Sequence, residues 1–242
     1  MNIWNYSIHF YSLEWKMELA TTIIRSTKST RAKTGYDFLK RSIDLAITLM
    51  VLPMMFPAMA LIALLIRFDS PGPALFKQKR VGKDGRIFQI YKFRTMTHNL
   101  DNSHHQAFMK AFVQGEIGDE SNDKVVFKPF TDSQITRVGR ILRKTSLDEL
   151  PQLINILKGD MSLIGPRPNV LWEVEAYKGW HMERLSVLPG ITGLAQVNGR
   201  SAISFDTIVR YDVEYARSKS LWLDVQILWK TFTSVVAGKG AA

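Results

Sequence analysis

The 242-residue chain contains no cysteine, which excludes disulfides and thiolate metal sites, structural zinc among them, and fits a reducing compartment. Histidine is scarce. The five histidines, including His104-His105, have no spacing to a carboxylate or a third histidine that suggests a metal site, and they read as surface residues. The pattern of a secretory leader is also lacking, since no basic stretch precedes an apolar core at the N-terminus. The chain begins instead with Trp4, Tyr6, Phe10, Tyr11 and Trp15 in a mixed context, either an interfacial leader or a poorly ordered one. Acidic residues are in the minority, 22 against 32 Lys and Arg, and the formal charge of +10 draws the chain towards polyphosphates, nucleic acid or anionic lipid.

What is present is one long hydrophobic run. Leu45 to Ile66 is 22 residues without a charge, against the roughly 20 that a helix needs to cross a bilayer core. Basic residues flank both ends: Lys40 and Arg41 before it, Arg67, Lys77 and Lys79 after it. The positive-inside rule therefore gives a tie, as expected when both ends lie on the same side. Pro53 and Pro57 each remove a backbone donor in the middle of the run and bend a helix. These features predict a re-entrant helical hairpin that breaks near Pro57, with a kinked single span and a buried core helix as alternatives. Carbonyls freed at the bend need partners inside the protein.

Three regions follow: a leader over 1–35, the membrane segment over 36–68, and a cytoplasmic catalytic domain over 69–242. The expected fold class is α+β, mostly helical, with a short β-hairpin or small sheet and amphipathic surface helices. Asp69-Ser70-Pro71-Gly72-Pro73 ends the membrane helix. Residues 74–82 and 86–93 read as two strands around Lys83-Asp84-Gly85. Phe108, Met109, Phe112 and Val113 suggest an amphipathic helix within an otherwise loop-like stretch from His98 to Ser133. Leu150, Leu153, Ile154 and Leu157 predict a helix running to Lys158 and stopping at Gly159. Leu221, Val225, Leu228, Trp229 and Phe232 share one helical face, either packed on the core, which is favoured, or resting on the membrane.

The chemistry concentrates around Asp148-Glu149. Ser146 and Glu149 match a capping box, a purely structural role, although Pro151 shifts the helix start towards Asp148. Asp148 then lies in the positive field of a helix N-terminus beside Arg143 and Lys144, which favours its ionised, nucleophilic form. Adjacent helical residues point about 100° apart, so Asp148 and Glu149 should divide the work. The surrounding Arg and Lys suit a diphosphate with bound Mg²⁺, and an ordinary solvated basic face is the bland alternative. Arg167, between two prolines, and the Pro189–Gly193 stretch are in isolation only turn signals.

Several motifs in one order nevertheless stand together: Lys40-Arg41 with Asp44, Ser70-Pro71-Gly72-Pro73, Lys92-Phe93-Arg94-Thr95-Met96, Thr145 to Gln152, Gly165-Pro166-Arg167-Pro168, and Pro189-Gly190-Ile191-Thr192-Gly193. From about Tyr36 to the C-terminus the chain resembles the bacterial sugar transferases, monotopic phosphoglycosyl transferases that prime polysaccharide assembly. It departs at Phe56-Pro57, where the family often has Ser-Pro, and in the added Pro53.

The resemblance implies transfer of a phosphosugar from a UDP-sugar to undecaprenyl phosphate, with release of UMP through a covalent aspartyl intermediate. It makes Asp148 the nucleophile and Mg²⁺ ligand and Glu149 the acid/base or positioning partner. Lys92, Arg94, Arg143 and Arg167 would hold phosphates, with Thr192 and Gly193 near the nucleotide or sugar and Asp212 a further site candidate. The 98–133 stretch resembles exopolysaccharide-type members and hints at UDP-glucose or UDP-galactose. The implied setting is the bacterial inner membrane, with the catalytic domain on its cytoplasmic face and no nucleic acid as partner; a homo-oligomer is left open. The rival readings are a UDP-releasing glycosyltransferase and a non-catalytic basic module tethered to the membrane.

Overall fold

The computed structural model describes residues 34–97, 103–115, 134–199 and 203–237. The leader before residue 34 and most of the 98–133 stretch lie outside the described residues. The first element is a 36-residue helix, α1 (Thr34–Asp69), with Pro53 and Pro57 inside it. The expected break is thus not seen as two separate helices. Each proline lacks the amide that would bond the carbonyl four residues back, so Leu49 and Pro53 lose those partners. Only 6% of its most apolar window is buried within the protein, and it is long and apolar enough to cross a membrane. Met50, Met54 and Phe56 all point outward.

Both ends of α1 nevertheless pack on one domain. Near its start, Asp44 is buried and accepts hydrogen bonds from Ser162 Oγ at 2.7 Å and the Leu163 amide at 3.2 Å. Arg41 donates to the carbonyls of Ile156 and Leu157. Near its end, Ile66 is buried against Phe93 and Leu142, while Asp69 accepts from the Val138 amide at 3.0 Å.

The domain is mostly helical α+β. Strands β1 (Leu75–Val81) and β2 (Ile87–Phe93) form the expected antiparallel hairpin, with Arg80 opposite Phe88 and Phe76 opposite Lys92. Asp84 adopts a left-handed conformation in its turn (φ 54°), one that Asp tolerates better than most residues. Helix α2 (Ser103–Gln114) buries Val113 on the face expected from the sequence. Helix α3 (Arg137–Thr145) is capped by Thr136, whose hydroxyl accepts from the Gly139 amide.

Helix α4 (Gln152–Lys158) ends at Gly159 in the left-handed conformation (φ 84°), where the sequence places the stop. Its Asn155 is fully buried, accepting from the Tyr91 amide at 3.1 Å and donating to the Gln89 carbonyl at 2.7 Å. One side chain therefore takes the place of a strand partner and locks α4 to β2. Beyond it come β3 (Ser162–Ile164), α5 (Leu171–Val174), a 3₁₀ segment over Gly179–Ser186, and β4 (Gly190–Thr192). The chain closes with α6 (Leu194–Val197), α7 (Phe205–Ser218) and α8 (Leu221–Val236).

Two expectations are corrected here. Helix α8 does pack on the core, but through Asp224 and Ile227, while Val225, Leu228, Trp229 and Phe232 of the expected face are exposed, as is Trp222 beside them. The physical reason is Asp224, whose carboxylate is turned inward to accept from Tyr36, Lys40 and Tyr215. That inward carboxylate, with Thr231 meeting Thr192 two turns on, orients the helix. His181, expected on the surface, is fully buried among Tyr177, Trp180 and Phe205. Its Nδ1 accepts from the Lys178 amide and its Nε2 meets Asp206 at 3.1 Å, so its polar atoms are satisfied without solvent.

Candidate active site

Helix α3 stops because Ser146 turns left-handed (φ 57°), and Leu147–Glu149 then forms a single 3₁₀ turn before Pro151 and α4. The capping box is not formed: Ser146 makes no side-chain cap. Glu149 instead meets Lys92 Nζ at 2.8 Å and Arg167 Nη1 at 3.0 Å, both through Oε1. Burial alone would raise the Glu149 pKa. The charges and hydrogen bonds of Arg167 and Lys92 outweigh it and hold the carboxyl at about 2.

Asp148 differs. Among the described residues no hydrogen bond or ion pair shorter than 4 Å engages its carboxylate. Burial pushes its pKa upward, against the pull of Lys92, Arg167 and Arg143, and Glu149 adds to the upward push. This corrects the expectation of a helix field favouring the ionised form: Asp148 lies on a short turn ahead of Pro151, where desolvation dominates. Two adjacent carboxylates thus have different environments, one neutralised by two cations and one uncommitted.

The cations come from three elements. Lys92 lies on β2, and burial lowers its pKa. Arg143 lies in the last turn of α3, its pKa lowered by burial and raised by Asp148. Arg167 leaves the loop after β3. A fourth, Arg80 on β1, donates to the Pro168 carbonyl at 3.0 Å and to Gln78 Oε1 at 2.6 Å. Burial lowers it to about 10, with Glu173 pulling it up, Arg167 pushing it down and Glu149 pulling it up. No motif in the sequence marks Arg80 as part of a site. The signal was available, because a hairpin turning at Asp84 pairs Phe76 with Lys92 and puts Arg80 on the same face.

Other expected site residues sit elsewhere. Arg94 is buried and donates to the carbonyls of Pro71, Ser70 and Ile66 and to Ser70 Oγ, so it closes the C-terminal end of α1. Thr192 is buried with its hydroxyl 2.8 Å from that of Thr231 on α8. Asp212 is 1% exposed and pairs with Arg184 at 2.6 Å. Gly193 belongs to a backbone contact: the segments around Gly165 and Pro189–Gly193 are parallel neighbours, Ser162 opposite Gly190 and Ile164 opposite Thr192. A Cβ at Gly190 would overlap the Gly165 nitrogen, and one at Gly193 would overlap the Gly165 carbonyl. The two loop motifs are therefore one unit that supports Arg167.

The site thus sets an uncommitted carboxylate among cations, an arrangement suited to an anionic ligand, on a domain that packs against both ends of an apolar helix. The chain belongs to the bacterial sugar transferase family, whose model matches residues 35–238. It is 42% identical over 210 residues to the undecaprenyl-phosphate galactose phosphotransferase of Salmonella typhimurium, covering 87% of this chain and 43% of that one. It is 38% identical over 213 residues to the UDP-glucose:undecaprenyl-phosphate glucose-1-phosphate transferase of Escherichia coli, covering 84% and 41%. Against the exopolysaccharide production protein ExoY of Rhizobium meliloti it is 37% identical over 202 residues, covering 84% and 87%. The chain thus spans less than half the length of the first two relatives and most of the third.

Proposed function

We propose that this chain transfers a sugar 1-phosphate from a UDP-hexose to undecaprenyl phosphate and releases UMP, the first membrane step of exopolysaccharide or related glycoconjugate assembly. The observation that carries the reading is the asymmetry of the acidic pair, Glu149 fixed by Lys92 and Arg167 with Asp148 uncommitted beside it. The names of the relatives, with galactose and glucose 1-phosphate transferred to the same lipid, support it.

In this mechanism a carboxylate oxygen of Asp148 attacks the sugar-bearing phosphorus. The bond to the bridging oxygen breaks, and UMP leaves with that electron pair. A phosphate oxygen of undecaprenyl phosphate then attacks the same phosphorus and the aspartyl bond breaks, restoring the carboxylate. Lys92, Arg143 and Arg167 offset the charge that spreads over the phosphoryl oxygens. Glu149 holds Lys92 and Arg167 in place.

Mg²⁺ is part of the proposal. Among the described residues no group of three or more His, Cys, Asp or Glu could hold a metal ion. An ion held here would take one carboxylate and complete its shell with substrate phosphates and water. Asp148 would hold Mg²⁺, which when bound supplies charge neutralisation and orientation of the diphosphate.

The anchor is proposed as re-entrant in the bacterial inner membrane, with the domain on the cytoplasmic face. Support comes from the packing of both ends of α1 on one domain and from Pro53 and Pro57 between them. The exposed Trp222, Trp229 and Phe232 edge of α8 suits the interface.

The test is the purified protein in detergent with undecaprenyl phosphate, Mg²⁺ and a panel of UDP-sugars, recording which nucleotide is released. Lipid-dependent UMP is expected. Release of UDP would make it a plain glycosyltransferase, and no nucleotide from any donor would reopen the reading as a binding module.

A further inference from the structure

Behind the candidate site lies a buried cluster with no part in the mechanism above. Arg184, in the 3₁₀ segment before β4, has a side chain only 2% exposed, and its partner Asp212 on α7 is 1% exposed at 2.6 Å. A buried ion pair is costly to desolvate and by itself argues little for stability. What distinguishes this one is where the rest of the guanidinium goes. Nη2 donates to the Arg167 carbonyl at 3.0 Å, and Nη1 donates to Asn169 Oδ1 at 2.9 Å and to the Tyr177 hydroxyl at 2.7 Å.

The loop is gripped at each of three consecutive residues. Arg184 holds the Arg167 main chain and the Asn169 side chain, Arg80 holds the Pro168 carbonyl, and the Val81 amide holds the Asn169 carbonyl at 2.9 Å. At the head of this clamped stretch the Arg167 side chain, half exposed, reaches Glu149. A long, exposed arginine gains little from a surface ion pair unless its backbone is fixed in advance. The fork of Arg184 supplies that fixation, and Asp212 neutralises the charge that the fork brings into the interior.

Resting on the phosphosugar-transfer reading for its kinetic consequence, we propose that the buried Arg184–Asp212 pair is a positioning device for Arg167, acting through the Arg167 carbonyl and Asn169. Asp212 thereby serves the site without touching substrate. Arg184→Lys is the informative variant, because lysine keeps the charge facing Asp212 but cannot fork to both Arg167 and Asn169. Asn169→Ala removes one of the loop contacts and covers the case in which Arg184→Lys does not fold.

Two measurements are made on the full chain in detergent. Deuterium uptake across Gly165–Val170 should be faster in both variants than in the wild type, with α1 and α2 unchanged. The kcat/KM for UMP release should fall about 10- to 100-fold in Arg184→Lys, as for other partners that orient a site residue. In an Arg167→Lys background the same change should cost about twofold or less, since a residue acting through Arg167 has little left to position.

Unchanged uptake in the loop overturns the proposal, as does a full additional loss in the Arg167→Lys background. A wild-type protein that releases no UMP from any donor refutes the functional reading alone, and the uptake measurement then decides the positioning role.

Discussion

At the residue scale the proposed chemistry rests on the acidic pair, and its members are expected to fail differently. Asp148→Asn removes the proposed nucleophile without changing its size, so lipid-dependent UMP release should drop by about a thousandfold or more. A variant that keeps a substantial fraction of the rate rejects that role. Glu149→Gln keeps the shape but leaves Lys92 and Arg167 without a counter-charge beside Asp148. The two cations then repel each other, and the variant should lose both turnover and stability, read as UMP release and as the midpoint of thermal unfolding. The sequence brought out both residues because their motif is unusual, but it could not tell capping from ion pairing. That choice turned on Lys92 and Arg167, which are far from Glu149 in the chain and adjacent only after folding.

At the scale of elements, the close approach of two backbones explains a pair of glycines that looked like ordinary turn residues. Gly190→Ala puts a Cβ into the Gly165 nitrogen, an overpacking of main chain against main chain that should cost about 1–3 kcal/mol. For a chain of this length each kcal/mol lowers Tm by about 2–4 °C. A thermal scan showing no change would mean that the strand pair relaxes freely. Helix α8 carries the opposite lesson: its face Leu221, Val225, Leu228, Trp229 and Phe232 was legible, but not its direction. Apolar residues cover most of that helix, and the inward face was chosen by Asp224 finding Tyr36, Lys40 and Tyr215. The β-hairpin and the stop at Gly159 were legible because turn chemistry is local.

At the scale of the whole molecule, pH and topology are the tests. Burial lowers His181 from its ordinary 6.5 to about 4, against the pull of Asp206. Between those values the unfolded chain binds a proton that the folded chain does not, so this contribution to stability is present above pH 6.5 and is lost as pH falls towards 4. His181→Gln should flatten that part of the stability-against-pH curve, and an unchanged slope would remove His181 as its source. For topology, the absence of cysteine makes Gly35→Cys and Lys77→Cys clean labelling sites. Both should react with a membrane-impermeant maleimide only from the cytoplasmic side, and labels on opposite faces would establish a single span.

What the sequence by itself determined are the features set by near neighbours or by composition. They include the apolar helix and its two prolines, the basic charge, the hairpin turning at Asp84 and the helix stop at Gly159. Only the tertiary structure decided which cations meet Glu149, that Arg94 closes α1 and Thr192 faces α8, and that His181 is interior. The reason is range. A turn or a cap is settled within a few residues, whereas an ion pair or a buried polar partner depends on which distant segments the core brings together, and several arrangements satisfy the same local pattern.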